Sequence, residues 1–387
     1  MRIAVVHSFY RSDNPSGENT VVRLQVAALE RAGHEVALIT KDTDDYLDRR
    51  SYPAIAALTT ATGVGPDPSA QLAAFAPDVV HVHNLFPNWG TRWVRKWRGP
   101  IIATLHNYRT VCSNGLLWRD GHDCHDCPTR GSWNSLRHRC YQDSLVATLP
   151  LAVATRGQGK HSALLEISSR ILTLNADAYS FYSDLLGGER VRLLPNFTDA
   201  RSSAPAAGKN GFVFVGRLTE EKGIRQLLRQ WPSDRRLSII GTGPEEESIR
   251  ETYRHHSNIQ LLGRLDHQAT IDHVSRAFAL VIPSLWTEGL PTVALEALAV
   301  GTPLLLSNKI SAAGLLTSGG AGVIFGIDDG RDDLARALER LISGSENYQN
   351  AASRLHANSY SSSTWIESIE LIYREAVRSN STTRHSH

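Results

Sequence analysis

The sequence predicts an α/β protein with two doubly wound, Rossmann-like domains that face each other across a cleft. The chain has 387 residues, which is more than one ordinary hydrophobic core accommodates. Short apolar, β-rich runs alternate with helical patterns, as they do in parallel sheets with crossover helices. The alternation stops at residues 199–210, which are rich in Ser, Ala, Gly and Pro, and then restarts. We therefore interpret residues 199–210 as a linker.

The first half, residues 1–198, is expected to form the N-terminal domain. An amphipathic helix is predicted over Thr20–Ala32 because Gly33 ends its pattern, and a second helix is predicted over Ser162–Leu174. Residues 175–188 are expected to hold a strand and a short helix. The predicted strands are Ile3–His7, Val36–Thr40, Val79–Val82, Ile101–Leu105 and Val191–Pro195.

The second half, residues 211–358, repeats the pattern and is expected to form the C-terminal domain. A helix with an apolar face follows at Thr364–Arg378, and the polar residues 379–387 are expected to be a disordered tail. The predicted strands are Phe212–Val215, Leu237–Gly241, Ile259–Leu262, Ala279–Pro283 and Pro303–Ser307.

Charge and hydropathy restrict the class of partner. The chain has 41 basic and 39 acidic residues, so nucleic acid is not an expected partner. The apolar run at the N-terminus is too short for a signal peptide, and no stretch approaches the ~20 apolar residues that cross a bilayer. We expect a soluble, cytoplasmic protein.

Residues 283–303 indicate an anion site. Glu288 and Glu296 are eight residues apart at the start of a predicted helix, and Pro291 suits the first helical position. The helix is predicted over Thr292–Val300, and Gly301 ends it. The free amides and the positive end of the helix dipole lie between the two glutamates and favour phosphate. The segment therefore predicts a nucleotide-diphosphate site.

Residues 212–223 supply cations for the same ligand. An apolar strand runs into Gly216, and Arg217 and Lys222 follow; the alternative is a strand end with two solvated cations. Together the two segments resemble the C-terminal half of the family 4 glycosyltransferases. These are retaining enzymes of the GT-B fold that use nucleotide-sugar donors. The resemblance extends from residue 1 to about residue 378.

The resemblance implies roles for individual residues. Glu296 would hydrogen-bond the ribose hydroxyls, and Glu288 would approach the transferred sugar. Residues 359–378 would return to the N-terminal domain. A dehydrogenase interpretation of Gly241-Thr-Gly243 is weak because the third glycine is absent. The implied donor-binding residues are Gly17, Gly216, Arg217, Lys222, Gly241, Arg264, Leu265, Glu288, Gly289, Leu290, Pro291, Thr292 and Glu296; the implied catalytic residues are His106, Arg217, Lys222 and Glu288.

Two further candidates lie in the first half. Ser16-Gly17-Glu18 resembles the family's Gly-Gly-x-Glu element, with serine in place of the first glycine, in a predicted loop. Gly17 would let the backbone approach the diphosphate or the acceptor. His106 follows the strand Ile101–Leu105, where the family often has a histidine that faces the cleft and contacts the donor sugar. The alternative for His106 is a structural role.

The charge that develops as the donor bond breaks explains how such a site would work. Breaking the bond from the anomeric carbon to the diphosphate leaves negative charge on the departing oxygens. Arg217, Lys222 and the amides near Leu290 and Thr292 would stabilise that charge without a metal ion. The resemblance implies retention of configuration and transfer from a UDP- or GDP-sugar to a glycan or lipid-linked acceptor, in polysaccharide or glycoconjugate assembly. The alternatives are a sugar-nucleotide epimerase, a glycogen-synthase-like enzyme, and a non-catalytic carbohydrate- or partner-binding protein.

All cysteines lie in one insertion, residues 107–145, with the spacing C-x11-C-x2-C-x12-C. The set is Cys112, Cys124, Cys127 and Cys140. Clustered thiols in a cytosolic chain indicate first a structural zinc site, in which His122, His125 or His138 could replace one cysteine. Free thiols and disulfides are the alternatives. Some polysaccharide-assembly members of the family have a related insertion.

Residues 92–98 combine arginine, lysine and tryptophan. Helical spacing places Trp93 and Trp97 on one side, which is consistent with core packing or with a peripheral membrane anchor. Core packing is favoured, and membrane association stays an alternative.

Overall fold

The computed structural model describes residues 1–12, 17–199, 209–286 and 288–384. The chain forms two compact units. The first unit comprises Met1–Pro195 and Ile366–His387, and the second comprises Asn196–Trp365. Most of the residues proposed as a linker, and Ser16, lie outside the described residues.

The first unit contains a six-stranded parallel sheet with the order β2-β1-β3-β4-β7-β8. β5 and β6 form a small antiparallel hairpin inside the cysteine-containing insertion. All side chains of β4 are buried, as expected for a strand covered on both faces. The strands are β1 Arg2–Phe9, β2 Glu35–Asp42, β3 Val79–Asn84, β4 Ile101–Leu105, β5 Trp118–Arg119, β6 His122–Asp123, β7 Arg170–Thr173 and β8 Val191–Leu193.

Helices cover the first sheet and build the insertion. Their bounds are α1 Gly17–Arg31, α2 Tyr52–Thr62, α3 Ser69–Phe75, α4 Arg92–Lys96, α5 Asp126–Arg130, α6 Asn134–Arg137, α7 Leu145–Ala154, α8 Ala163–Ile167 and α9 Ala176–Leu186. Trp93 on α4 is 1% exposed and Trp97 packs against the same core cluster. Core packing is therefore confirmed for these tryptophans.

The second unit contains another six-stranded parallel sheet, with the order β11-β10-β9-β12-β13-β14. Two apolar clusters pack around it. The strands are β9 Phe212–Val215, β10 Leu237–Ile240, β11 Ile259–Gly263, β12 Leu280–Ile282, β13 Leu304–Ser307 and β14 Gly322–Phe325. The helices are α10 Ile224–Gln230, α11 Glu246–Tyr253, α12 His267–Arg276, α13 Thr292–Ala299, α14 Ala313–Leu316, α15 Arg331–Ser343, α16 Ser345–Leu355 and the terminal α17 Ser362–Arg384.

α17 belongs to the first unit from Ile366 onward. Tyr373 is fully buried, and its hydroxyl lies 2.7 Å from Nδ1 of His81 on β3. Glu370 lies 3.0 Å from Nε2 of His34. The expectation of a disordered tail from residue 379 is wrong as far as Arg384, because the helix continues to that residue.

Other predicted elements differ from the structure. The helix predicted over Ser162–Leu174 is wrong in its second part, where β7 pairs with β4 and β8 and buries Ile171. Residues 176–186 form one helix, whose N-cap Asn175 accepts a hydrogen bond from the Ala178 amide. β14 was not predicted. α1 begins at Gly17, so this glycine opens a helix instead of lying in a loop.

Candidate active site

The carboxyl ends of the strands of the second sheet bring the predicted donor residues to one edge. Gly216, Gly241 and Gly263 end or follow the neighbouring strands β9, β10 and β11. The Gly241 amide donates to the Gly263 carbonyl at 2.8 Å. A Cβ on Gly241, whose φ is +134°, would lie 1.9 Å from the Gly216 carbonyl oxygen. Glycine at position 241 therefore allows the backbone of the loop after β10 to contact the backbone of the loop after β9.

The order of the sheet reverses between β9 and β12, and doubly wound sheets bind ligands at such a position. Lys222 lies in the turn after β9, and Glu288 lies in the loop after β12. Lys222 Nζ donates to Glu288 Oε1, and the Ser284 hydroxyl donates to Glu288 Oε2. Glu288 is 8% exposed. A buried carboxylate is stable here because both of its oxygens have partners.

The backbone fixes the two loops that carry this ion pair. The Leu285 amide donates to the Glu221 carbonyl at 2.9 Å. Gly223 has φ +70°, and a Cβ there would lie 2.0 Å from the Pro283 carbonyl oxygen. The loops after β9 and β12 are thus in direct contact, and Lys222 and Glu288 are held together by more than their charges.

α13 carries the second glutamate. Its N-cap is Pro291, and the helix begins at Thr292, so the expectation that Pro291 occupies the first helical position is wrong by one residue. Pro291 provides no side-chain cap, and the Ala294 amide donates to the Pro291 carbonyl at 3.0 Å. The Thr292 and Val293 amides at the start of the helix are therefore the ones positioned to bind an anion. Glu296 lies one turn inside, and its Oε1 is 3.0 Å from Nε2 of His267. Its buried neighbours are Ala294, Leu295, Ala297 and Leu298.

The remaining predicted donor residues lie at the same edge of the sheet. The Arg217 side chain is 59% exposed, with one long contact of 3.7 Å to Glu221. Arg264 is exposed directly after β11, and Leu265 packs against a core cluster. Gly289 and Leu290 connect Glu288 to α13. The donor residues predicted in the second half are therefore brought together, whereas Gly17 lies on the surface of the first unit.

The first unit contains a line of histidines at the carboxyl ends of β1, β3 and β4. His83 Nδ1 lies 2.9 Å from His106 Nε2, and the rings of His81 and His83 stack at 4.3 Å. Burial lowers the pKa of His106 to about 3 and that of His7 to about 4. These rings are neutral at pH 7. His106 can therefore donate or accept a hydrogen bond, but it does not supply positive charge.

His106 lines a cavity of about 440 Å³ in the first unit. The loop after β3, the loop after β4 and the C-terminal ends of α2 and α7 form its walls. Glu18 also lines it, and burial raises the pKa of this carboxyl to about 8. Glu18 was noted only as part of the Ser16-Gly17-Glu18 element, with no role of its own, and its neighbour Arg109 follows no pattern that distinguishes it from a surface charge.

The four cysteines of the insertion lie close enough together that the charge of one ionised thiol affects the pKa of another. Burial, and then the charges of Cys112, Cys140 and Cys124, raise the pKa of Cys127 to about 12. All four cysteines are free. The Cys112 thiol donates to Asn114 Oδ1 at 2.9 Å. No three His, Cys, Asp or Glu side chains of the described chain are arranged to hold a metal ion. The thiols as placed do not converge on one centre, and zinc stays a prediction.

Comparison with known proteins identifies the class. Residues 15–140 match the family model described as Glycosyltransferase Family 4, and residues 196–358 match the model described as Glycosyl transferases group 1. The fold, the site and these matches define a glycosyltransferase of the GT-B fold. The chain belongs to family 4 of these enzymes.

Two curated relatives match most of the chain. Over 351 residues it is 25% identical to a glycogen synthase of Mycobacterium tuberculosis strain H37Rv, covering 84% of this chain and 82% of that protein. Over 374 residues it is 24% identical to a phosphatidyl-myo-inositol mannosyltransferase of Mycolicibacterium smegmatis, covering 88% of this chain and 85% of that protein.

Solved structures share the fold. Sucrose-phosphate synthase from Thermosynechococcus elongatus superposes with a TM-score of 0.68 at 17% identity, covering 98% of this chain and 99% of that chain. Anabaena Alr3699/HepE, solved in complex with UDP and glucose, gives a TM-score of 0.62 at 16% identity, covering 97% and 100%. Within the described residues, no helix is both long and apolar enough to cross a membrane.

Proposed function

We propose that this glycosyltransferase transfers a sugar from a nucleotide-diphosphate donor, a UDP- or GDP-sugar, to a glycan or lipid-linked acceptor, with retention of the anomeric configuration. The observation that carries the proposal is the Lys222–Glu288 ion pair at the reversal of strand order, beside the uncapped first turn of α13. A similar fold in Anabaena Alr3699/HepE holds UDP and glucose, which supports a nucleoside diphosphate as the ligand.

The diphosphate binds to the cationic part of this site. Arg217 offers a planar fork of donors, Lys222 offers a point charge, and α13 offers backbone amides. As the bond from the anomeric carbon to the diphosphate breaks, negative charge grows on the leaving oxygens. Preorganised donors in these positions stabilise that charge more in the transition state than in the bound substrate.

The two glutamates accept hydrogen bonds from the hydroxyl groups of the donor. Glu296 accepts from the ribose hydroxyls, a role supported by its mostly buried position one turn into α13 with His267 as its partner. Glu288 accepts from a hydroxyl of the transferred sugar. Because Lys222 and Ser284 already engage its oxygens, Glu288 acts as an orienting acceptor and not as a nucleophile.

His106 contributes a neutral hydrogen-bonding ring for a sugar hydroxyl. Its contact with His83 at 2.9 Å fixes the orientation of the ring. A neutral imidazole suits this role because a cation beside the anomeric centre would oppose the positive charge that develops there.

The stereochemical part is tested by NMR of the product. A product whose anomeric configuration matches that of the donor sugar supports retention. An inverted product contradicts it. The donor is found first by incubating the enzyme with UDP- and GDP-sugars and measuring release of the nucleoside diphosphate, with Lys222→Ala as the inactive control.

A further inference from the structure

The cavity of the first unit has an excess of positive charge. Arg92, Arg95, Arg109 and Arg156 line it, and among the described residues Glu18 is the acidic one in its lining. Arg95 pairs with Glu166 at 2.5 Å. The other three guanidinium groups donate to the carbonyl oxygens of Thr62, Ser113 and Val153. Within the described residues they form no ion pair, so their charges are available to a ligand.

The titratable groups of the cavity do not offset this charge at pH 7. Burial raises the pKa of Glu18 to about 8, so the carboxyl is mostly protonated. Burial also lowers the pKa of His106 to about 3 and that of His83 well below its usual range, so both rings are neutral. The arginines therefore determine the net charge of the cavity, which is positive.

Arg109 is held in a fixed orientation. Its guanidinium carbon lies 4.6 Å from the centre of the Phe86 ring and 5.6 Å from that of Tyr141. Its Nε is buried without a hydrogen-bond partner in the described structure. A buried donor without a partner is costly, and a phosphate oxygen would satisfy it. The geometry of Arg109 therefore indicates an anionic oxygen ligand.

The two helices that end at this cavity have an exposed apolar surface, which we call the α2–α7 ridge. α2 and α7 pack side by side. The exposed apolar side chains are Ile55 (51%) and Leu58 (62%) on α2, and Leu145 (50%), Val146 (82%) and Leu149 (47%) on α7. Trp133, 58% exposed, precedes α6, which packs on α7. Exposed apolar side chains on adjacent helices indicate a binding site.

Charge surrounds the ridge. Exposed arginines precede both helices, Arg156 follows α7, and the Arg92 Nε donates to the last carbonyl of α2 at 3.2 Å. The exposed Asp48 and Asp143 lie among them and are outnumbered by the arginines. The set is Arg49, Arg50, Arg92, Arg137, Arg139 and Arg156. An apolar surface bordered by arginines complements the boundary between the hydrocarbon and the anionic headgroups of a bilayer.

We propose that the cavity binds the phosphate of a lipid-linked acceptor and that the α2–α7 ridge contacts the hydrocarbon and headgroup layer that presents it. The inference rests on the proposed function, because it names the class of acceptor. A soluble phosphorylated acceptor would bind to the arginines and would make no use of the exposed apolar ridge. The ridge begins on the same helices whose C-terminal ends line the cavity, so one amphiphile extends from Arg109 to the surface.

The test is co-sedimentation of the full chain with phosphatidylcholine vesicles, with and without phosphatidic acid. We expect binding only when phosphatidic acid is present. Arg109→Gln, and separately Leu58→Ser with Val146→Ser, should each weaken binding about fivefold or more. The matched controls are Arg336→Gln on α15 and Leu371→Ser, since Leu371 is 59% exposed on α17. Both controls should bind like the native chain.

Three outcomes overturn the proposal. Binding that the ridge variants retain, and that inorganic phosphate abolishes, identifies a soluble phosphate ligand. Equal loss in the control variants shows non-specific charge or apolar contact. No binding to either vesicle excludes the lipid surface. If Arg109→Gln fails to fold, the exposed Arg156→Gln gives the same test. Stabilisation by UDP or GDP, measured in parallel, tests the donor site independently of the lipid result.

Discussion

Lys222 and Glu288 form an ion pair at the point where the strand order of the second sheet reverses, one from the loop after β9 and the other from the loop after β12. Their side chains are 21% and 10% exposed. In the proposed function, the pair holds a cation for the diphosphate beside an acceptor for the sugar. Lys222 would also neutralise a carboxylate that otherwise repels the donor phosphates.

The coupling of this pair can be measured by a double-mutant cycle. Lys222→Ala leaves a buried carboxylate without its cation, so the effects of Lys222→Ala and Glu288→Ala on the free energy of unfolding should add up to more than the effect of the double substitution. We expect a coupling energy of about 1–3 kcal/mol by urea unfolding. The matched cycle on Arg250 and Glu246, an i,i+4 pair on α11 whose arginine side chain is 51% exposed, should give about 0.3–0.5 kcal/mol. Strictly additive effects at Lys222 and Glu288 would contradict the account.

His106 should remain neutral across the physiological range. Burial lowers its pKa to about 3, whereas the unfolded chain titrates near 6.5. The unfolded state therefore binds more protons between these values, and this contribution to stability is present above pH 6.5 and declines as the pH falls toward 3. The slope is at most ~1.4 kcal/mol per pH unit for one proton. NMR of the imidazole signals, assigned with His106→Asn, should show no titration between pH 5 and 8. A midpoint near 6.5 would contradict a buried, neutral ring.

Glu18 should have the opposite pH dependence. Its folded pKa is raised from 4.5 to about 8, so the native state retains a proton that the unfolded chain releases. The stabilisation is complete below pH 4.5 and is lost as the pH rises through 8. Glu18→Gln mimics the protonated form, so its stability relative to the native chain should increase between pH 5 and 9, by at most ~1.4 kcal/mol per pH unit. Glu251→Gln, at an exposed position, controls for the lost charge. A difference that does not change with pH would contradict the prediction.

The cysteines give a further prediction. Each ionised thiol raises the pKa of Cys127, and a divalent cation would remove that repulsion. We propose that the thiols rotate toward a structural Zn²⁺. Reduced protein prepared without chelator should then contain about one zinc per chain. Cys127→Ser should lose it, and Ser132→Ala should not. Metal-free native protein would show that protein contacts alone hold the insertion.

The sequence alone predicted the two sheets and the start of α13, because these depend on local signals. β9 matches its predicted bounds, and Glu296 lies one turn into α13, since strand periodicity and helix stop residues are read over short windows. β7 was mistaken for helix because the apolar pattern of Ser162–Leu174 spans a helix and a strand, and only pairing with β4 and β8 distinguishes them.

His106 was the predicted site residue in the cavity of the first unit, but the grouping of Arg109 and Glu18 with it could not be predicted. Arg109 and Glu18 are distant in sequence and lie in one cavity only because the carboxyl ends of β1 and β4 meet at one edge of the sheet. Whether a glutamate there is charged depends on the burial that the fold creates. The direct pairing of Glu288 with Lys222 was not predicted for the same reason, because Lys222 is 66 residues away along the chain.

The most direct test of the central claim is thermal unfolding of the full chain with UDP, GDP, ADP or TDP. The account predicts that one of these nucleotides stabilises the native chain, by about 2.7 kcal/mol at a concentration 100-fold above its Kd. The stabilisation should be reduced in both Glu296→Ala and Lys222→Ala and retained in Glu339→Ala, on α15. If none of the four stabilises the chain, or if the stabilisation is the same in all three variants, the donor site is not at the reversal of strand order.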